Sequence, residues 1–166
     1  MKKKYLFLFA IGLFNYSFAQ EIYISQLKSQ NDTTLLNEKP FTGKACSYNN
    51  EIKTVEINYK NGFINGTQTI WNDKGFITSS AEFINSKYNG KVIYYYDNGQ
   101  KKSEEIYVND YKNGVSVYWY ENGQKESEGN YIDCFNEGTW IYWDKDGKKI
   151  MKREYDKGTL LKETKF

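Results

Sequence analysis

Histidine is absent from this chain of 166 residues, and only two cysteines are present. Without histidine there is no histidine-based catalytic triad, no usual zinc ligand set and no general base of ordinary neutral pKa. The cysteines, Cys46 and Cys134, form no Cys-x-x-Cys pair, and no phosphate loop or redox motif occurs. They stand more than three repeat units apart, on the order of 30 Å in a linear stack of strands about 4.8 Å apart. A disulfide needs Cα atoms within about 7 Å, so the two are not expected to pair with each other. A bond between molecules stays open.

Long hydrophobic runs are also scarce. The only marked one, Tyr5 to Phe14, follows Lys2, Lys3 and Lys4 and precedes Ser17-Phe18-Ala19. It is far shorter than the roughly 20 residues a bilayer span requires. A basic start, a short apolar run and a small-x-small site have the layout of a bacterial secretory signal peptide, here residues 1–19. No cysteine stands at the cleavage point to carry a lipid. Removing the segment takes away three of the 23 basic residues and none of the 21 acidic ones, leaving a net charge of −1. A near-neutral surface of mixed sign argues against a nucleic-acid or polybasic lipid partner. Localisation is read as exported: periplasm, outer surface or secreted.

Aromatic residues are plentiful, with 4 Trp, 16 Tyr and 10 Phe. Disordered chains are poor in aromatics. A thin structure held together by amphipathic rings accounts for the composition. The rings recur in register. Gly66, Gly90, Gly114 and Gly138 are 24 residues apart, as are Gly75, Gly99, Gly123 and Gly147. Trp71, Tyr95, Trp119 and Trp143 share the period, and so do Phe83, Tyr107, Tyr131 and Tyr155. A fixed period in several columns is the signature of a repeat architecture.

Each unit holds two runs of strand formers joined by glycine-bearing turns. Val115 to Tyr120 is followed by Glu121-Asn122-Gly123, and Asp97-Asn98-Gly99 repeats the arrangement. Asn-Gly between such runs predicts a hairpin turn with positive φ at both central residues. A second turn, Asn61-Gly62 in one unit and Asn109-Asp110 in another, links successive units. No room is left for helix. Residues 20–38 match no repeat column and read as an N-terminal cap strand and linker, since terminal units of a solenoid depart from the consensus. Residues 39–166 read as the repeat domain, about five units and a partial last strand. Lys162, Glu163 and Lys165 on that strand guard an open edge.

Alternation separates two faces. Thr69, Ile93, Val117 and Ile141, with Trp71, Tyr95, Trp119 and Trp143, read as the packed face. Tyr94, Tyr118 and Tyr142, extended by Tyr96 and Tyr120, form a strip on the other. It is either a structural ladder or a contact surface, because tyrosine is enriched in interface hot spots. Ser79, Ser103 and Ser127 recur by period without a partner base and read as packing or solvated positions. Glu104 with Glu105, and Glu126 with Glu128, read as a solvated strand face. The Asp-Asn-Gly turns offer too few oxygens for calcium.

The segments Gly90 to Gln100, GKVIYYYDNGQ, and Gly114 to Gln124, GVSVYWYENGQ, resemble the bacterial variant of the MORN repeat family. Gly138 to Gly147 keeps Trp140 at the early tryptophan position, filled elsewhere by Gln68, Val92 and Ser116. The resemblance spans about residues 41–162. It implies an all-β fold, an open twisted single-layer antiparallel sheet of consecutive β-hairpins. It also implies a scaffold or interaction module, and some bacterial members carry an antitoxin-like label. The chain is thus expected to be no enzyme and to use no cofactor or metal. An unidentified protein is the expected partner, with a glycan or cell wall held by the tyrosine strip, or an immunity-like role, as alternatives. Self-association through the sheet edges is open.

Overall fold

The computed structural model describes residues 21–166. The expected targeting segment, residues 1–19, lies outside them. Strand β1 (Ile22–Tyr23) leads through one 3-10 turn, Ile24–Gln26, to β2 (Lys28–Gln30), β3 (Thr33–Leu36) and β4 (Lys39–Pro40). The periodic region supplies β5 (Gly43–Asn49), β6 (Ile52–Lys60), β7 (Phe63–Trp71), β8 (Ile77–Ile84), β9 (Lys87–Tyr95) and β10 (Lys101–Val108). The short β11 (Tyr111–Lys112) precedes β12 (Gly114–Trp119), β13 (Lys125–Ile132), β14 (Phe135–Trp143), β15 (Lys149–Asp156) and β16 (Thr159–Lys165).

These strands form two sheets, which overturns the expected single-layer antiparallel sheet. The main sheet has 13 strands: β1 beside β5, then β5 to β10 and β12 to β16 in chain order, with β11 paired to β10. It is mixed, because β1 runs parallel to β5, with Ile22 opposite Ala45 and Tyr23 opposite Cys46. The second sheet is the meander β2-β3-β4. The departure sits where the repeat columns are missing. Asn31-Asp32 and Asn37-Glu38 adopt positive φ, near 47° and 60° and near 49° and 64°. Two such tight turns fold Lys28–Pro40 onto itself. The chain between β1 and β5 is thereby long enough to return in the same direction, which a parallel pair requires.

The repeat turns divide the work differently from expectation. Positive φ at both central residues belongs to the turns between units, such as Asn109 (49°) and Asp110 (74°), or Asp133 (49°) and Cys134 (69°). In the Asp-Asn-Gly and Glu-Asn-Gly turns it falls on the glycine, 82° at Gly99 and 83° at Gly123. A register shift flanks each, between Lys101 and Ser103 after the first and between Tyr118 and Trp119 before the second. That is the longer hairpin loop with a bulge rather than the two-residue turn. Asn98 and Asn122 instead accept the backbone N–H of Gln100 and Gln124 through Oδ1.

Burial concentrates on one row that crosses the main sheet. Ala45 faces Ile57, Ile57 faces Gln68, and Gln68 faces Ala81. Ala81 faces Val92, which faces Glu105; farther on Ser116 faces Gly129 and Trp140 faces Arg153. Ala45, Ile57, Ala81, Val92, Glu105, Ser116 and Trp140 are all buried. This row shares its face with the tyrosine strip, so the expected packed face is reversed. The Trp119 and Trp143 side is half-buried instead. Its rings lie under lysine stems, with Lys101 Nζ 5.7 Å from the Trp119 ring and Lys125 Nζ 5.2 Å from that of Trp143. Long cationic side chains cover aromatic surface and keep their charge in water.

Candidate functional site

Register places the tyrosine strip. Tyr94 stands opposite Ser103, Ser103 opposite Tyr118, Tyr118 opposite Ser127 and Ser127 opposite Tyr142. Large and small residues therefore alternate across five strands. Ser103 and Ser127 are buried spacers between the rings. Their period, legible in the sequence, reflects packing.

The five tyrosines divide into three kinds. Tyr96 and Tyr120 are inter-unit ties: Tyr96 donates its hydroxyl to the Trp119 carbonyl (2.7 Å) and Tyr120 to that of Trp143 (2.9 Å). Tyr118 and Tyr142 are walls around Trp140. The indole stacks at 6.4 Å from each, with interplanar angles of 28° and 30°. Tyr131 meets the same indole edge-on at 5.0 Å. Tyr94 alone of the five is exposed, at 42 %.

Beside Tyr94 the buried row carries a charge. Glu105 is 4 % exposed. Its Oε2 accepts the Tyr107 hydroxyl at 3.0 Å and pairs with Lys112 Nζ at 3.0 Å. Lys112 also reaches the Tyr118 hydroxyl at 3.4 Å and lies over the Tyr131 ring at 5.2 Å. A buried carboxylate needs such partners, since desolvation of an unpaired charge is costly. Burial, followed by the Tyr131 contact and the Glu105 charge, pushes the Tyr118 hydroxyl well above the usual phenol range. Burial does the same, less strongly, to Tyr94. Tyr94 and Tyr118 are therefore neutral hydrogen-bonding rings at physiological pH.

A groove of about 340 Å³ opens here, lined by Tyr94, Tyr95, Lys102, Ser103, Glu105 and Tyr118. A larger one, about 510 Å³, lies at the N-terminal edge between Ile22 and Phe41 to Cys46. The reading of Glu105 as a solvated residue is corrected by its burial. Glu104 does lie on the opposite face, paired to Lys91 at 2.9 Å and Lys101 at 2.5 Å. Those lysines hold its carboxyl below the usual range. The Glu105–Lys112 pair is the feature that sequence reasoning missed. Its signal was Glu105 standing in a column that holds Ala81 and Gly129.

Cys46 is buried and Cys134 exposed, and both are free. Cys134 Sγ accepts the Lys112 backbone N–H at 3.2 Å, where Asp110 Oδ1 does the same for Tyr88 at 2.7 Å. Among the described residues, no group of three or more His, Cys, Asp or Glu is arranged to hold a metal ion. No helix there is long and apolar enough to cross a membrane.

Strands paired almost wholly in chain order, with a repeated aromatic face, make a largely β, repeat-built module consistent with a protein- or ligand-binding role. The MORN repeat variant model matches residues 88–109, 112–133 and 136–157. A MORN-type repeat region is therefore present over residues 88–157, and MORN repeats are a non-enzymatic structural family. No curated protein matches the chain.

Proposed function

We propose that the chain is a non-enzymatic interaction module of the cell envelope or secreted space, and that the tyrosine face of residues 88–157 is its protein-contact surface. The observation that carries this reading is Tyr94, an exposed ring beside a groove, where the other four tyrosines of the strip, Tyr96, Tyr118, Tyr120 and Tyr142, are half-buried. Interface hot spots are enriched in tyrosine and lie in well-packed surroundings, which support the ring. Buried Ser103 and the Glu105–Lys112 pair supply that support.

The glycan alternative calls for a pair of exposed rings with Asn, Gln or Asp beside them. The groove is lined by Lys102, Ser103 and Glu105, and Tyr118 is half-buried. These features favour a protein. The export reading rests on residues 1–19 and their composition.

The test is affinity capture from the native exported fraction with the full chain and its Tyr94→Ser variant. Substituting Tyr118 or Tyr142 would remove the walls around Trp140 and confuse folding with binding. Tyr94→Ser is expected to keep the melting temperature and lose the captured protein. Equal capture by both chains would refute the reading. The same exported protein, sequenced from its N-terminus, is expected to begin at Gln20.

A further inference from the structure

The face contains its own example of a filled slot. Trp140 lies between Tyr118 and Tyr142, two strands apart and separated by Ser127. Tyr94 and Tyr118 stand in the same relation about Ser103. One unit before Trp140 the chain has Ser116, which is buried and whose Oγ has no hydrogen-bond partner. No indole stands at this position in the earlier unit, and the groove of about 340 Å³ opens between Tyr94 and Tyr118, bounded by Ser103 and Glu105.

We propose that the Tyr94–Tyr118 groove receives one aromatic side chain, a tyrosine or tryptophan, from an exposed segment of the partner protein. This rests on the protein-contact reading above. Strands about 4.8 Å apart put the two rings about 10 Å apart. That leaves room for one planar ring, as the Trp140 stack demonstrates in the next unit.

The floor shows how the guest differs from Trp140. The indole lies where Gly129 has no side chain, and a Cβ at Gly129 would run into it. Glu105 occupies the matching position in the groove. A guest ring therefore enters from solvent above Ser103 and stops at the Glu105 carboxylate. Both partners of that carboxylate sit on Oε2. A ring edge bearing an O–H or N–H suits its other oxygen. Lys112 already balances the Glu105 charge and Lys102 adds a second cation at the lining. A neutral donor is thus favoured over the guanidinium of an arginine.

The experiment is an NMR titration of the full chain with N-acetyltyrosinamide and N-acetyltryptophanamide, alongside N-acetylargininamide and N-acetylglucosamine. The aromatic amides are expected to shift the resonances of Tyr94, Ser103 and Tyr118. The decisive variant combines Glu105→Gly with Ser116→Trp. It rebuilds the Gly129–Trp140 arrangement inside the groove and keeps every tyrosine. Binding of the aromatic amides is expected to weaken at least about tenfold, the effect of losing one good aromatic contact. Should that variant not fold, Tyr94→Ala carries the same expectation. Unshifted groove resonances, unchanged affinity in the folded variant, or tighter binding of the arginine or sugar probe overturns the proposal. A captured protein that depends on Tyr94 while both aromatic amides miss the groove would sink this inference and leave the contact surface standing. Ring binding in the groove with partner capture indifferent to Tyr94 would do the reverse.

Discussion

Gly129 meets a strict requirement on the buried face. Its backbone is the surface on which the Trp140 indole rests, and the indole Nε1 donates to the Asn130 carbonyl next to it at 3.2 Å. Bare backbone in a strand is usually a weakness, because glycine loses entropy and packs nothing. A large ring from the neighbouring strand covers that gap. The two residues therefore belong together: either alone is unfavourable. Gly129→Ala is expected to cost about 1–3 kcal/mol, the usual range for overpacking a core, and Trp140→Ala about 3–5 kcal/mol. Because both remove the same contact, the double variant should cost less than the sum of the two. Thermal or denaturant unfolding of the three variants measures this, and strict additivity would show that Trp140 does not depend on Gly129.

The hairpins are tied to one another by side chains that reach 23 residues ahead, into the next unit. Tyr96 and Asn98 donate to the carbonyls of Trp119 and Glu121, and Tyr120 and Asn122 donate to those of Trp143 and Lys145. The last unit puts Asp144 and Asp146 at these positions, and a carboxylate has no proton to donate. The ladder ends there by chemistry. Tyr120→Phe keeps the ring and removes one tie, so it is expected to cost about 0.5–1.5 kcal/mol, with fluorescence of the tryptophans as the readout. A loss below that range would mean that the ring, not the hydroxyl, holds the turn. The 24-residue period made these turns legible, and the aromatic columns located the strands. It did not reveal which face is buried, because both faces carry rings. The lysines that cover Trp119 and Trp143 come from strands whose sequence reads only as polar. Nor did it reveal that Asn98 and Asn122 bind the next unit, since their placement after Asp or Glu and before Gly looks like turn chemistry alone. Tyr94, Tyr96, Tyr118, Tyr120 and Tyr142 were all visible as a strip. Their division into ties, walls and one exposed ring depends on Trp140 and Glu105, which break the period.

At the scale of the molecule, each strand from β5 onward pairs with its neighbours in the chain, apart from the side pairing of β11. Stability in such an arrangement is close to a sum of nearest-neighbour terms. The terms are unequal. The middle of the sheet holds Ala81, Phe83 and Val92 as a buried cluster, and β14 brings Trp140. Every residue of β16 is exposed, with Leu161 at 65 %. Its side-chain tie to β15 is the Arg153–Glu163 pair at 2.9 Å, a contact of a kind that contributes at most about 1 kcal/mol when solvated. The opposite end is different, because β1 covers β5 and Gly62 accepts the Thr34 backbone N–H and donates its own N–H to the Phe41 carbonyl. Local opening should therefore begin at the C-terminal edge and spread inward. Native-state hydrogen exchange is expected to show the least protection in β16, intermediate protection in β15, and the most in β8 to β10 and β12 to β14. The Gly129→Ala variant should lower protection from β13 to β16 more than in β6 to β8, because the damaged contact lies between the edge and the centre. Uniform loss across all strands would mean that the sheet opens as one cooperative unit and that its repeats are coupled more tightly than neighbour pairing implies.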